Sequence, residues 1–541
     1  VTALLIGAFA APLLLLLVAC CWRASRPALS AWLAVAPLPA LAAALPPLFG
    51  TPLSLELPSL RISLALDLPG AMLLGVSALL WAAAGVYAAA FLRRSGFSLR
   101  FVGCWLLTLA GNVGVFMAAD LLSFYLVFAL ASLPAWGLIA HDDGASARRA
   151  GSVYMAFTIL SEALLLMGFV LLAAGDPTGS VQIRDVMAAL PQSPWRDGAL
   201  AFTAAGFVLK VGLVPMHGWM PLSYAAAPIA AAAVLSGAGV KAGVIGFIRF
   251  LPFDAAMQLA GELLATLGLF SAFYGVLVGI TQSNPRTVLA YSSVSQMGVI
   301  AAVLGMGLAA GDEASIVAGA FYAAHHALAK GALFLAVGVI AMSAVDRRRP
   351  TLVLAALVAL GLGGLPLTGG ALAKLVIKEP LGDGLVGTLA TLSAIGTTVL
   401  MLHFLVRLAR TAAPPAPTTP TPGFLLPWWI TALAALGVPW LLYSVGDGDL
   451  AAAVAPGALL DAAWPVAIGI VLAFALVKWG ERLPPIPPGD IVILEEGAFR
   501  GSYAIGAFLE RLDGHLRQWP AATLSLVVIA LATAVSAAVG R

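Results

Sequence analysis

The sequence predicts an all-α polytopic membrane protein of about 16 transmembrane helices, with two inverted five-helix repeats that contain broken helices. Three observations carry this expectation. Of the 541 residues 61% are hydrophobic and only 10% charged, against roughly 45–50% and 25% in soluble domains. Apolar runs of about 20 residues, enough for a helix to cross about 30 Å of hydrocarbon, recur from one end to the other. Two of the runs are interrupted by Gly and Pro at corresponding places, each with a lysine beside the break.

Taken in order, the runs place spans near residues 1–21, 29–49, 69–92, 99–118, 120–140, 151–174, 198–215, 224–250, 257–281, 285–310, 314–343, 351–379, 384–408, 424–445, 460–478 and 519–540. The first has no basic segment ahead of it and no small-residue cleavage site leading into a soluble domain. It reads as a span and not as a signal peptide. The longest polar stretches are 178–197 and 480–518, the latter opening with Pro484, Pro485, Pro487 and Pro488 as a lateral connector or surface amphipathic helix would.

Basic residues set the orientation. Arg23, Arg26, Arg93, Arg94, Arg100, Arg148, Arg149, Arg286, Arg347 to Arg349, Arg407, Arg410, Lys478 and Arg482 all follow odd-numbered spans. Loops after even-numbered spans hold little beyond Arg61, Arg184, Arg196 and Arg249. The N-terminus is expected outside and the odd loops in the cytoplasm. Spans 4–8 and 9–13 form the repeats, their fourth helices being broken at Lys210 to Pro215 and at Gly361 to Pro366 with Lys374 beyond. An odd number of helices per block inverts one repeat relative to the other. The expected division is N-terminal helices 1–98, a first repeat 99–250, a second 257–408, and C-terminal helices 424–541 with the polar connector 480–518.

Several function classes fall away. A net charge of +3 is too small to imply nucleic acid. Cys20, Cys21 and Cys104 lack C-x-x-C spacing, and the six histidines lack the facing pairs that several haems need. Neither a G-x-G-x-x-G fingerprint nor a Walker A loop is present. No cofactor and no catalytic residue is expected, so any redox chemistry belongs to partner subunits.

What remains is a set of ionisable residues inside apolar runs. A lysine at a helix centre costs about 2.5–3.5 kcal/mol on the insertion scale, and Lys210, Lys241, Lys330 and Lys374 each incur it. Residues four apart share a helix face, so Tyr322, His326 and Lys330 form one polar stripe. Desolvation disfavours the charged form of lysine, and a row of such groups linked by water makes a proton relay. Plainer readings stand beside this one. Lys374 and Lys378 fit snorkelling to an interface; His325 and His403 fit polar residues hydrogen-bonded between helices; His217, between Pro215 and Pro221, fits a re-entrant loop as well as proton transfer. Asp461, Arg407 and Arg249 fit interfacial positions. Glu162 and Asp120 are the plausible acidic partners, and Glu162 is expected to meet Lys210.

These residues resemble the antiporter-like, proton-translocating membrane subunits shared by respiratory complex I, Mrp-type Na+/H+ antiporters and membrane-bound hydrogenases. Lys210-Val-Gly-Leu-Val-Pro-Met-His-Gly-Trp-Met-Pro221 is similar to the family's K-x-x-x-x-P-x-H-x-W-L-P block. Asn284-Pro-Arg-Thr-Val-Leu-Ala-Tyr-Ser-Ser-Val-Ser-Gln-Met-Gly298 is similar to D-x-K-R-x-L-A-Y-S-S-x-S-Q-x-G. His326-Ala-Leu-Ala-Lys330 matches H-x-x-x-K, and Gly364-Leu-Pro-Leu-Thr-Gly-Gly370 with Lys374 matches G-x-P-x-x-G and its lysine.

The resemblance implies a proton-translocating subunit of a redox-driven complex in a prokaryotic inner (plasma) membrane, with further membrane subunits and redox or ion-coupling subunits as partners. Protons, or Na+, are the implied cargo. Lys210 would serve the first half-channel, Lys241, His326 and Lys330 the centre, and Lys374 the exit. Two positions depart from the family. Ala129 stands where span 5 usually carries a glutamate, which makes Glu162 its candidate replacement. Tyr322 stands where a second histidine is common. The alternatives are a cation/proton antiporter or proton-coupled inorganic-carbon uptake subunit, and a structural subunit with an impaired pathway.

Overall fold

Hydrocarbon offers no water to backbone amides, so a chain of this composition satisfies them internally as helices. The computed structural model describes residues 2–22, 30–57, 62–412, 419–446, 448–479, 483–493 and 510–511. The expected span 519–540, most of the connector 480–518, and Arg23, Arg26 and Arg61 lie outside the described residues. Residues 1–488 form one compact unit, and those from Gly489 on belong to a second.

In chain order the first unit runs α1 (Thr2–Cys21), α2 (Leu38–Leu48), β1 (Leu53–Leu57), β2 (Ile62–Leu66), α3 (Leu68–Ser95), α4 (Leu99–Met117), α5 (Leu121–Ser132), α6 (Ala135–Ile139), α7 (Ala145–Gly175), α8 (Ile183–Ala189) and α9 (Arg196–Val211). It continues with α10 (Trp219–Ala226), α11 (Ile229–Val234), α12 (Lys241–Phe250), α13 (Gln258–Gly279), α14 (Pro285–Ala310), α15 (Ala314–Met342), α16 (Arg349–Gly363), α17 (Gly369–Val376), α18 (Lys378–Leu381), α19 (Leu385–Ala409), α20 (Pro422–Val445), α21 (Leu450–Ala453) and α22 (Pro456–Trp479).

Among the described residues, 12 helices are long and apolar enough to cross a membrane, two of them joining shorter pieces. Three other expected spans take shorter forms. The run 29–49 yields the 11-residue α2, with Pro46 and Pro47 in its last turn. The run 198–215 stops as the 16-residue α9 at left-handed Gly212. The run 351–379 splits into α16 and α17 around Gly364 (φ 100°), where a side chain would be strained.

Burial sorts the helices into layers. The window of Ile229–Phe250 is 100% buried and that of α15 89%, whereas α1 and α22 reach only 22%. The two innermost elements are thus the ones that carry Lys241, His326 and Lys330. Next to them α13 and α14 form an antiparallel hairpin joined by glycines. A Cβ on Gly261 would stand 2.4 Å from the Gly305 carbonyl oxygen, and one on Gly268 2.5 Å from that of Gly298. Small residues spaced by seven let the two backbones touch, the packing that replaces hydrophobic burial in lipid.

One element went unread in the sequence. β1 and β2 pair antiparallel, Leu53 opposite Leu66 and Leu57 opposite Ile62, and their period-two alternation was visible in Leu53-Ser-Leu-Glu-Leu57. The hairpin corrects the reading of Asp120 as a lysine partner. One carboxylate oxygen accepts the Ser63 amide at 2.8 Å and the other caps α5 by accepting the Ser123 amide at 2.8 Å. Both oxygens are thus committed to backbone.

Two polar contacts tie the layers. Asn112 accepts from Trp81 Nε1 at 2.9 Å and donates to the Ala238 carbonyl at 3.2 Å, all buried. Asp67 caps α3 through the Gly70 amide and takes both Arg249 guanidinium nitrogens, joining the start of α3 to the end of α12. Burial pushes the Asp67 carboxyl up, but the Arg249 charge and the hydrogen bonds outweigh it and hold the group below the usual carboxylate range.

Replacing Asn112 by Leu orphans the buried Trp81 N–H, so thermal unfolding of the purified protein should show a loss of about 1–3 kcal/mol. Asp67 makes a pH-dependent contribution. A lowered folded pKa stabilises above the unfolded value of about 3.9 and loses that stabilisation as pH falls through the folded pKa. The melting midpoint should therefore drop below about pH 4, and drop less steeply in Asp67→Asn.

Candidate functional site

The first break holds Lys210. α9 ends one residue past it, Gly212 turns left-handed (φ 69°), and the chain runs irregularly through a cis Val214–Pro215 bond to Trp219. The freed Leu209 carbonyl accepts from Trp219 Nε1 at 3.0 Å, and the Val214 amide donates to Ser271 Oγ at 3.0 Å. Lys210 reaches across to α5, where its Nζ donates to Ser132 Oγ at 2.6 Å and sits 5.1 Å from the Phe128 ring centre. Ser132 in turn donates to the Phe128 carbonyl at 2.8 Å, and Tyr154 donates to the Ser132 carbonyl at 2.9 Å.

Glu162, on α7, is buried and lines the same small cavity as Lys210, Ser132, Tyr154, Thr158 and Ser161. The cavity measures about 10 Å³ to the centre of a water molecule, room for about one water. Neither Glu162 oxygen has a hydrogen-bond partner among the described residues. The expected meeting of Glu162 and Lys210 takes the form of a shared cavity and not of a direct hydrogen bond: the hydrogen bond of Lys210 goes to Ser132. Ser132 was missed because it lacks charge, although it lies three residues after Ala129 and so on the same face of α5.

His217 lies in the irregular segment, fully buried, its ring 5.2 Å from that of Tyr274 and 5.9 Å from that of Tyr291.

The central group sits where α11 widens into a π-helical turn, Leu235–Gly239, which ends two residues before Lys241. Such turns leave backbone groups free and recur at functional sites; here the Ala238 carbonyl goes to Asn112. Lys241 Nζ and His326 Nδ1 are 2.7 Å apart, both residues fully buried. Lys330 Nζ donates to the Leu289 carbonyl of α14 at 2.9 Å. Tyr322 donates to Gln296 Oε1 at 2.8 Å, and Gln296 Nε2 donates to Thr397 Oγ1 at 3.1 Å. Gln296 and Thr397 were not singled out in the sequence; Gln296 could have been, since it closes the Ser-Ser-Val-Ser-Gln run.

The second break holds Lys374. It lines a cavity of about 230 Å³ with Lys378, Asp383, Thr388, Thr391 and Asp461, room for on the order of ten waters. Lys378 and Asp461 pair at 2.6 Å, each 58% exposed. His403 bonds the carbonyl of Gln282, in the loop between α13 and α14, at 2.8 Å, which leaves it a plain polar tie. His325 does not fit that reading: it is buried, and neither ring nitrogen has a partner among the described residues.

No group of three or more His, Cys, Asp or Glu residues able to hold a metal occurs among the described residues. What the arrangement offers is proton exchange. A 2.7 Å contact between an amine and an imidazole nitrogen has one proton between two lone pairs, so one partner donates while the other accepts. With Lys241 as the ammonium, His326 accepts on Nδ1 and carries its own proton on Nε2. Nitrogen NMR of histidine-labelled protein should then show Nδ1 of His326 as the unprotonated nitrogen, and Lys241→Met should shift that resonance.

A family described as NADH:quinone oxidoreductase/Mrp antiporter, TM matches residues 118–401. Hydrogenase-4 component B of Escherichia coli (strain K12) is 29% identical over 294 residues, covering 52% of this chain and 43% of that protein. NADH-quinone oxidoreductase subunit N of Salinispora tropica is 29% identical over 330 residues, covering 56% of this chain and 64% of that one. The chain thus spans less than two thirds of the length of these curated relatives. A chain in the structure of the Mrp complex from Dietzia sp. DQ12-45-1b shares the fold, with a TM-score of 0.79 at 22% identity over 100% of this chain and 63% of the other. The family match takes in both helix breaks and Lys210, Lys241, Lys330 and Lys374, and the chain belongs to the NADH:quinone oxidoreductase/Mrp antiporter transmembrane family.

Proposed function

We propose that this chain is a proton-translocating membrane subunit of a redox-driven complex, NADH:quinone oxidoreductase-like or membrane-bound hydrogenase-like, in a prokaryotic plasma membrane. Protons would move along a buried axis of Lys210, Lys241, His326, Lys330 and Lys374, with Glu162, Tyr322 and His217 contributing. The single observation that carries the reading is the fully buried 2.7 Å contact between Lys241 and His326, set between two broken helices that each present a lysine. Ionisable groups at such depth are costly, and a transport path is the usual reason they persist.

In this reading the chain has 16 spans, N-terminal helices 1–98, inverted repeats at 99–250 and 257–408, and C-terminal helices 424–541. Protons enter the first repeat near Glu162 and Lys210, and leave through the cavity between Lys374 and the Lys378–Asp461 pair. The basic residues put the N-terminus outside, and the alternation of sides that this assumes draws support from contacts between helix ends. Arg100 with Asp143, Arg286 with the Tyr224 and Ala227 carbonyls, and Arg348 with the Thr411 carbonyl each join loops that the basic-residue pattern assigns to the cytoplasm. Asp67 with Arg249 and Lys378 with Asp461 join ends assigned to the opposite side. Partners would be other membrane subunits and the redox or ion-coupling subunits that drive the cycle.

The absence of a span-5 carboxylate, Ala129, favours a second reading in which the subunit is structural and its pathway impaired. The test is acidification of inverted membrane vesicles carrying the assembled complex, followed by an acridine dye. Lys210→Ala should reduce redox-driven proton uptake by on the order of tenfold or more with assembly intact; full retention would contradict the pathway and favour the structural role. Glu162→Gln should reduce it as well, and unchanged uptake would remove Glu162 from the path. Uptake driven by a Na+ pulse without redox turnover would move the assignment to cation/proton exchange.

A further inference from the structure

The axis proposed above leaves a gap between its centre and Lys374. Tyr322, His326 and Lys330 share one face of α15, whereas Lys374 sits on α17 beyond the second break. His325 adjoins His326 in sequence, so its side chain leaves the helix about 100° further round. It is 4% exposed, with both ring nitrogens unpartnered among the described residues. Buried polar groups nearly always have a partner, and one without calls for a reason.

What His325 meets is the break itself. Its Nδ1 lies 3.1 Å from the place a Cβ on Gly369 would occupy, and its Nε2 lies 3.1 Å from the corresponding place on Gly370. A side chain at either position would press on the ring, and one at Gly370 would also overlap the Gly361 carbonyl. Lys374 is one turn on from Gly370 and on the same face of α17. Helical side chains lean toward the N-terminus, and this one does: its Cδ and Cε lie 2.6 and 2.9 Å from where a Cβ on Gly364 would stand. Imidazole and lysine therefore approach one break from two helices.

We propose that His325 is a proton-relaying residue that carries protons between the central Lys241, His326 and Lys330 group and Lys374. The assignment rests on the pathway reading above. In the step, one ring nitrogen takes up a proton from the centre while the other gives its proton to the neutral amine of Lys374, which becomes the ammonium. The ring ends neutral in the other tautomer, no electron changes hands, and a second tautomer exchange resets it. The two neighbouring histidines of α15 then have separate tasks: His326 faces Lys241, and His325 turns the path toward the exit.

The experiment compares His325→Gln, His325→Ala and Lys210→Ala in the assembled complex, by dye-monitored proton uptake in inverted vesicles. Both His325 variants are expected to lower uptake by on the order of tenfold or more. Added imidazole should restore uptake in His325→Ala and leave His325→Gln unchanged, because the glutamine still fills the site without taking a proton. Near-normal uptake in His325→Gln, with Lys210→Ala inactive, overturns the relay and leaves the pathway standing. Near-normal uptake in both overturns the pathway and the relay with it. Loss that imidazole fails to restore in an assembled His325→Ala complex also overturns the relay, since that pattern marks a purely structural role. Should His325→Ala fail to assemble, the His325→Gln result decides.

Discussion

A cation held in hydrocarbon must find partners or lose its charge, and the rest of this structure is arranged around that constraint. Each lysine of the row sits where the helical hydrogen-bond pattern is interrupted or where a neighbouring helix offers oxygen. Lys210 stands at the end of α9, Lys241 two residues after a π turn, Lys374 six residues after the end of the irregular stretch 364–368, and Lys330 against the Leu289 carbonyl. The breaks and the charges are one feature seen twice. Irregular backbone is tolerated at membrane depth where it is enclosed by protein or lines a cavity, and here the first break bonds Ser271 of α13 while the second packs on His325 of α15.

The same constraint explains the scaffold. Enclosing a polar row requires close-packed helices around it, and close packing in lipid is reached through small residues. The glycine contacts between α13 and α14 bring the Gln296 face of α14 against α15, which allows the Tyr322, Gln296 and Thr397 hydrogen bonds to form. Asn112 fixes the π turn from the far side through the Ala238 carbonyl. Positions two helices away from the lysines thus hold the geometry on which proton exchange depends.

Much of this was legible in the sequence and some was not, for physical reasons. Charge in an apolar run is a loud signal, so Lys210, Lys241, Lys330 and Lys374 stood out, and Gly212, Pro215, Gly364 and Pro366 marked the breaks. The four-residue spacing of His326 and Lys330 gave a shared face. The contact of Lys241 with His326 joins positions 85 residues apart and follows from packing, which spacing cannot show. Ser132, Gln296 and Asn112 are neutral and cost little to insert, so they did not stand out among apolar neighbours. Three expected spans came out short because Pro and Gly stop a helix whatever its hydropathy. The pairing of Glu162 with Lys210 was half right: the two share a cavity, but the lysine's hydrogen bond goes to a serine.

The central claim is that protons cross the middle of the membrane domain through the Lys241 and His326 pair. The most direct measurement is redox-driven proton uptake by inverted vesicles carrying the complex with Lys241→Met, a change that keeps an unbranched side chain one atom shorter and removes its exchangeable protons. A buried relay predicts that uptake is lost while the complex assembles and its electron transfer can still be measured. Undiminished uptake in that variant would contradict it.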